Sequence, residues 1–171
     1  MSDFGNVRLT PACIGMLADT SDYNIDGACV VAPGRRAYFG TAVSVVGIVD
    51  GVKLVATVQD GELPFGVAMN TALTPRLFSD DAPDYPYVEE GEPISVVSHG
   101  RIWCVTSQTY DPQPMEKLKI GNGFISPNGS YSSGWVFAGG KFNFNSESNL
   151  IEVQVLQNSN KIAEPPEPEE S

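Results

Sequence analysis

Cysteine, histidine, positive charge and long apolar runs are all scarce in this chain of 171 residues, and each shortage removes a class of function. Cys13, Cys29 and Cys104 are odd in number, form no C-x-x-C pair and have no histidine beside them. That pattern encodes neither a disulfide framework nor a zinc site, and the three read as small hydrophobes in or near the core. A serine or cysteine nucleophile needs a histidine base held by a third group. The one histidine, His99, reads as an exposed ring at a hairpin turn beside Gly100. Ten Lys and Arg stand against 21 Asp and Glu, a formal charge of −11. Such a surface repels phosphate, whereas nucleic-acid binders carry a basic patch, and Arg35-Arg36 is the only adjacent pair of bases. DNA and RNA are excluded as primary ligands.

No window reaches the roughly 18 apolar residues of a membrane-spanning helix. Met1 to Gly15 lacks the ~7–15-residue apolar stretch of a secretory signal. The expectation is therefore a protein made in a cytoplasm, without a membrane partner. In the middle of the chain, stretches free of glycine and proline reach only about a dozen residues, because 17 glycines and 13 prolines punctuate the sequence. Helices average ~11–12 residues and dislike both types in their interiors, which excludes a helical bundle. The share is below the roughly 25–30% of low-complexity disorder, so the punctuation marks turns.

What is present is β-pattern. Val43 to Val49, the pair Asp50-Gly51 and Val52 to Val58 form two β-branched runs around a type I′ turn, in which both central residues take positive φ. A second hairpin is expected from Pro93–Ser98 and Arg101–Ser107, with its turn at His99-Gly100. Gly121-Asn122-Gly123 and Pro127-Asn128-Gly129 mark turns, Gly134–Ala138 reads as a strand, and Ile151–Val155 alternates apolar with polar residues. The stretch Ala72–Glu92, with Pro75, Pro83 and Pro86, predicts a long surface excursion. The sum is an all-β body with a half-buried antiparallel sheet.

The ends differ. Residues 159–171 carry four glutamates and three prolines and almost nothing to bury, which predicts a disordered acidic tail. Residues 1–39 hold scattered apolar side chains without a sustained period and predict an extended arm. Ordering ~15 arm residues costs roughly 15–30 kcal/mol, which needs on the order of 600–1,200 Å² of apolar burial to offset. Such an arm must lie across the body, assigned to residues 40–158, or dock on another subunit.

Candidate chemistry is thin. Asp80, Asp81 and Asp84, and likewise Asp19, Asp22 and Asp26, lack the alternating acids and closing glutamate of a calcium loop and read as solvated. Gly121-Asn122-Gly123 lacks the third glycine and following helix of a nucleotide cradle. Tyr85, Tyr87, Tyr110, Tyr131, Trp135 and Phe137 fall in and beside loops. They suit core or interface positions, and alternatively a sugar-stacking platform. No catalytic residue, metal ligand or cofactor site is assigned.

The succession Phe39-Gly40-Thr41-Ala42-Val43, the Asp50-Gly51 turn, Leu63-Pro64-Phe65-Gly66-Val67-Ala68, Tyr87 to Val97 with its Glu89-Glu90-Gly91-Glu92-Pro93 centre, and Gly100-Arg101-Ile102-Trp103-Cys104-Val105 resembles the structural cement, or head decoration, proteins of tailed bacteriophages. The resemblance runs over roughly Gly40 to Leu156. It implies a β-barrel or jelly-roll-like body, no catalysis, self-association as a homo-dimer or homo-trimer, and a place on the outside of the virion capsid. It also implies an arm reaching the major capsid protein. Under that reading Val7, Arg8, Leu9, Ile14, Met16 and Leu17 are candidate capsid contacts, joined by Arg35 and Arg36 against acidic patches. An edge strand, or the aromatic loops near Tyr85, Tyr87 and Trp135, are the candidates for self-association. The alternatives are a carbohydrate-binding β module using Trp135, Tyr131 and Tyr110, and a small hydrolase built on dispersed carboxylates.

Overall fold

A computed structural model describes residues 13–71, 77–80, 82–156 and 161–162, and every helix or strand among them is a strand. In chain order these are β1 (Leu17–Val31), β2 (Ala37–Tyr38), β3 (Ala42–Val49), β4 (Val52–Thr57), β5 (Gly66–Met69), β6 (Leu77–Ser79) and β7 (Ala82–Val88). They continue with β8 (Pro93–Ser107), β9 (Lys117–Gly121), β10 (Phe124–Ile125), β11 (Tyr131–Asn143), β12 (Ser148–Val155) and β13 (Lys161–Ile162). The fold is all-β, with a large mixed sheet and a separate three-stranded sheet ordered β2-β7-β6.

Two turns form as their residues dictate. Asp50 and Gly51 take φ of 50° and 80°, and Asn122 and Gly123 take 49° and 83°. Both pairs thus supply the two positive values of a type I′ turn, whose twist matches the flanking strands. They join β3 to β4 and β9 to β10.

The His99-Gly100 turn does not form. β8 runs through it as one strand of 15 residues, and His99 pairs with Asn24 of β1. Gly100 keeps a positive φ of 122°, but the cause is a close neighbour, since a Cβ there would sit 2.8 Å from the Cβ of Tyr23. Glycine serves a close backbone approach as well as a turn.

β8 organises the large sheet because it has partners along both edges. Its first half pairs with β5 on one side and β1 on the other, as at Val67↔Val97 and Ile25↔Val97. Its second half pairs with β12, from Val155↔Gly100 to Ser148↔Ser107, and with β10 at Ile125↔Thr106. The order β1-β4-β3-β5-β8 therefore returns to β1, and β8-β10-β9-β11-β12 returns to β8. Hydrogen bonding closes twice, through one shared strand.

Packing follows the same division. Ile94 and Val96 of β8 join Cys29, Val43, Val55, Ala68 and Phe39 in one cluster. Ile102 and Cys104 join Leu118, Ile120, Trp135, Ile151 and Val153 in another. Trp103 and Val105, on the opposite face, pack with Ile14 and Leu150. β8 is continuously buried over residues 96–98 and 102–106, where its sequence is mostly apolar as expected of a strand covered on both faces.

Of the span 1–39, residues 17–31 are β1, bound into the sheet through β8 and, by a parallel pairing at Cys29–Val31, through β4. Hydrogen bonds cross the boundary at Gly40 freely, for example from Phe39 N–H to the Pro86 carbonyl and from Thr57 N–H to the Arg36 carbonyl. Residues 1–12, which include Val7, Arg8 and Leu9, lie outside the described residues. So does the acidic tail except for Lys161-Ile162, which pair with Ser132 and Tyr131. Within the Ala72–Glu92 excursion, β6 and β7 pair with each other and β7 with β2, so its described part is ordered sheet.

Candidate interaction surfaces

The two adjacent arginines have different environments. Arg35 grips Glu62 with both guanidinium nitrogens, Nη1 to Oε1 at 2.8 Å and Nη2 to Oε2 at 3.1 Å, and also donates to the Thr57 carbonyl. Glu62 accepts further bonds from the Ser44 hydroxyl at 2.8 Å and the Gln59 N–H at 3.0 Å. The Arg35 hydrogen bond chiefly, with these donors, holds the Glu62 carboxyl down to about 2. Arg35 is thus committed to an internal pair. Arg36 is exposed, its guanidinium stacked 4.4 Å from the centre of the Tyr87 ring. Among the described residues no carboxylate lies within ion-pair distance of it.

Arg36 borders a cleft of about 610 Å³ shared by Gly34, Tyr38, Gln59, Asn122 and Phe124. β2 and the β9–β10 turn meet there, because a Gly123 Cβ would crowd Thr57 and Ala42 and its absence lets the turn settle onto them. Glu89 and Glu90 border the neighbouring hollow on the same side of Arg36, and Glu90 accepts a short hydrogen bond from Gly34 N–H.

Around the first described residues, Ile14 is 6% exposed and packs with Trp103, Val105 and Leu150. Gly15 donates to the Trp103 carbonyl at 3.0 Å and accepts from Asn70 N–H at 2.8 Å. Met16 is exposed, while Leu17 is half-buried against the Trp135 cluster. Of the candidate capsid contacts that are described, Met16 and Arg36 face solvent freely, and Ile14, Leu17 and Arg35 serve the fold.

The aromatic candidates point inward. Trp135 is fully buried and Tyr87 nearly so. Tyr85 lies against Phe124 and Phe144 and shares a short hydrogen bond with the Ser148 hydroxyl. Tyr131 is buried, and Tyr110 donates to Glu116, with burial foremost pushing its hydroxyl up to about 12. A sugar-stacking platform needs bare ring faces, and Trp135 and Tyr131 do not present them.

The carboxylates of β1 disperse to separate partners. Asp26 pairs with Lys53 at 2.6 Å, Asp19 accepts from Ser21 N–H at 2.8 Å near Arg101, and Asp22 faces His99 at 3.4 Å. Among the described residues no three His, Cys, Asp or Glu converge as a metal site would require. Burial raises the Cys29 thiol to about 12 and pushes Cys104 up as well, so neither is a ready thiolate.

One surface escaped the sequence reading. β5 pairs with β3 only at Ala42 and Val43, so the far end of β3 projects beyond it. Ile48 is 66% exposed and Val49 56%, with Val46 beside them. The signal was the run Val45-Val46-Gly47-Ile48-Val49, apolar at both parities, where a strand wet on one side alternates. A bulge between Val45 and Gly47 adds to the exposure by placing Val46 out of register.

Among the described residues, the open features of this β-sheet protein include an exposed apolar hairpin tip and a cleft bordered by Arg36. Its family is a narrower matter. Residues 3–156 match the family described as structural cement protein (E217 gp24/Pam3 gp6), and the chain belongs to that phage family. No curated protein matches it.

Proposed function

We propose that the protein binds the outer surface of a tailed-phage capsid, through the major capsid protein, and reinforces the junctions between capsomers without catalysis. The observation that carries this reading is the family match across residues 3–156. A protein that binds the intact shell and not its separated parts stabilises the shell by mass action. Useful bridges bury at least ~1,000 Å², and many symmetric copies multiply a modest contact.

Val7, Arg8, Leu9, Met16 and Arg36 are the proposed capsid contacts, since the burial of Ile14 and Leu17 and the Glu62 pairing of Arg35 spend those side chains internally. Self-association as a dimer or trimer is assigned to the projecting end of β3, where an unpaired apolar edge invites another strand. Tyr85, on the central strand of the small sheet, is the one of the three aromatic candidates that is only partly buried. The protein is made in the host bacterial cytoplasm and resides on the virion.

Cosedimentation of the purified protein with undecorated tailed-phage heads tests the proposal. Saturation at a fixed ratio to the major capsid protein, with a rise in the temperature at which the heads rupture, is the expected outcome. Protein that stays in the supernatant at all ratios refutes it.

A further inference from the structure

The turn before β9 carries a side chain that its backbone does not suit. Gln113-Pro114-Met115-Glu116 closes with a hydrogen bond from the Glu116 N–H to the Gln113 carbonyl at 2.9 Å, and Met115 takes a φ of 66°. Proline in the second place and positive φ in the third is the pattern of a type II turn, whose third place favours glycine or asparagine. The other described residues that take positive φ without being glycine are Asp50 and Asn122, whose short polar side chains tolerate that region. Methionine makes no such local bond, so the turn holds it under strain.

The surroundings keep the turn in place. The Glu116 carboxylate accepts from the Gln113 N–H at 2.7 Å and from the Tyr110 hydroxyl at 2.8 Å. Met115 N–H donates to the Phe137 carbonyl and Phe137 N–H to the Glu116 carbonyl, both at 2.9 Å, which straps the turn to β11. Lys141 of β11 pairs with Asp111 at 2.7 Å, at the entry to the loop. None of these bonds uses the Met115 side chain, which is 71% exposed, more than any other large apolar side chain among the described residues. A strained position on a rigid frame, with its side chain in solvent, gives the fold nothing in return and suits a contact made outside the chain.

Chemistry narrows the partner. A thioether on an unbranched stem fills irregular apolar hollows, so its fit is to an apolar pocket on another protein. The 610 Å³ cleft of a second copy presents Arg36, Gln59 and Asn122 beside its aromatic rings, which is polar company for such a group. A knob of one copy seated in a hollow of the next would also extend as an open chain unless the rotation closed. We propose that Met115 is a preformed anchor that inserts into an apolar pocket of the major capsid protein, an inference that rests on the capsid-binding reading above. It adds to the proposed arm contacts a rigid one on the body, and so fixes how the body is oriented on the shell.

The test measures cosedimentation with undecorated tailed-phage heads, thermal melting and light scattering for the full chain and three variants. Met115→Gly and Met115→Asn suit the turn, so both should melt no lower than the parent while binding heads roughly 10- to 100-fold more weakly, the loss expected for one buried methionine. Met115→Leu keeps an apolar side chain of similar volume and should bind nearly as the parent does. A Met115→Gly protein that binds as tightly as the parent overturns the proposal and leaves the capsid reading intact. Glycine and asparagine variants that melt below the parent would place the side chain in the fold, and a fall in the mass of the free protein would place it between copies; either result overturns the proposal as well. A parent that ignores the heads refutes the capsid reading, and this inference falls with it.

Discussion

Glu62 shows how much a single side chain can organise. It joins the loop after β4 to Arg35, Ser44 and Gln59 through four hydrogen bonds, at about one-quarter exposure. Its carboxyl titrates near 2 in the folded protein against an ordinary 4.5. A depressed folded value means that the stabilisation is complete above about 4.5 and is lost as pH falls toward 2. Allowing for solvent screening, it is worth roughly 2 kcal/mol at neutral pH. Glu62→Gln should lower the urea unfolding free energy by that amount at pH 7, and the gap from the parent should narrow steadily below pH 4.5. Two parallel curves from pH 7 to pH 3 would show that the clamp contributes no ionic stabilisation. Nothing in the sequence announces this pair, since Arg35 and Glu62 are 27 residues apart and meet only when β3 and β4 fold back.

At the scale of elements, legibility tracks how local the cause is. The Asp50-Gly51 hairpin could be read directly because two adjacent residues determine a type I′ turn. β1 could not, because its pairing with β8 is broken by register shifts between Leu17 and Asp19, Asp19 and Asn24, Asn24 and Ile25, and Asp26 and Cys29. Each bulge resets the alternation on which strand recognition rests, so a strand of the sheet looks like an aperiodic arm. Gly100 misled for a related reason, since positive φ serves turns and crossings alike, and Tyr23, its cause, is 77 residues away. Gly100→Ala tests that account. The methyl group would meet Tyr23 at 2.8 Å with φ at 122°, a combination of strain and overpacking worth on the order of 2–4 kcal/mol. The urea midpoint should fall with its slope unchanged, and amide exchange should quicken first in β1 around Asn24. A variant as stable as the parent would mean that the backbone relaxes there without cost.

For the whole molecule, the question is where the body ends and the proposed capsid-binding segment begins. Among the described residues, the first strong anchorage is at Ile14 and Gly15: the isoleucine fills a cluster with Trp103, Val105 and Leu150, and Gly15 bonds both Trp103 and Asn70. Gly15 also abuts Gly40 so closely that a Cβ on it would lie 2.9 Å from the Gly40 nitrogen. A cut before this anchor and a cut after it should therefore behave differently. Removing residues 1–12 takes away Val7, Arg8 and Leu9 and none of these contacts, so the melting temperature should stay within a few degrees while cosedimentation with phage heads is lost. Removing residues 1–20 also deletes Ile14 and the first pairing of β1 with β8 at Leu17↔Ile102. Loss of a buried isoleucine alone costs about 2–5 kcal/mol, which at this chain length lowers the melting temperature by roughly 5–15 °C. Binding and folding would then fail together in the longer deletion and separately in the shorter one. A shorter deletion that still saturates the heads would place the capsid contacts on the body, with Met16, Arg36 and the end of β3 as the surfaces to substitute next.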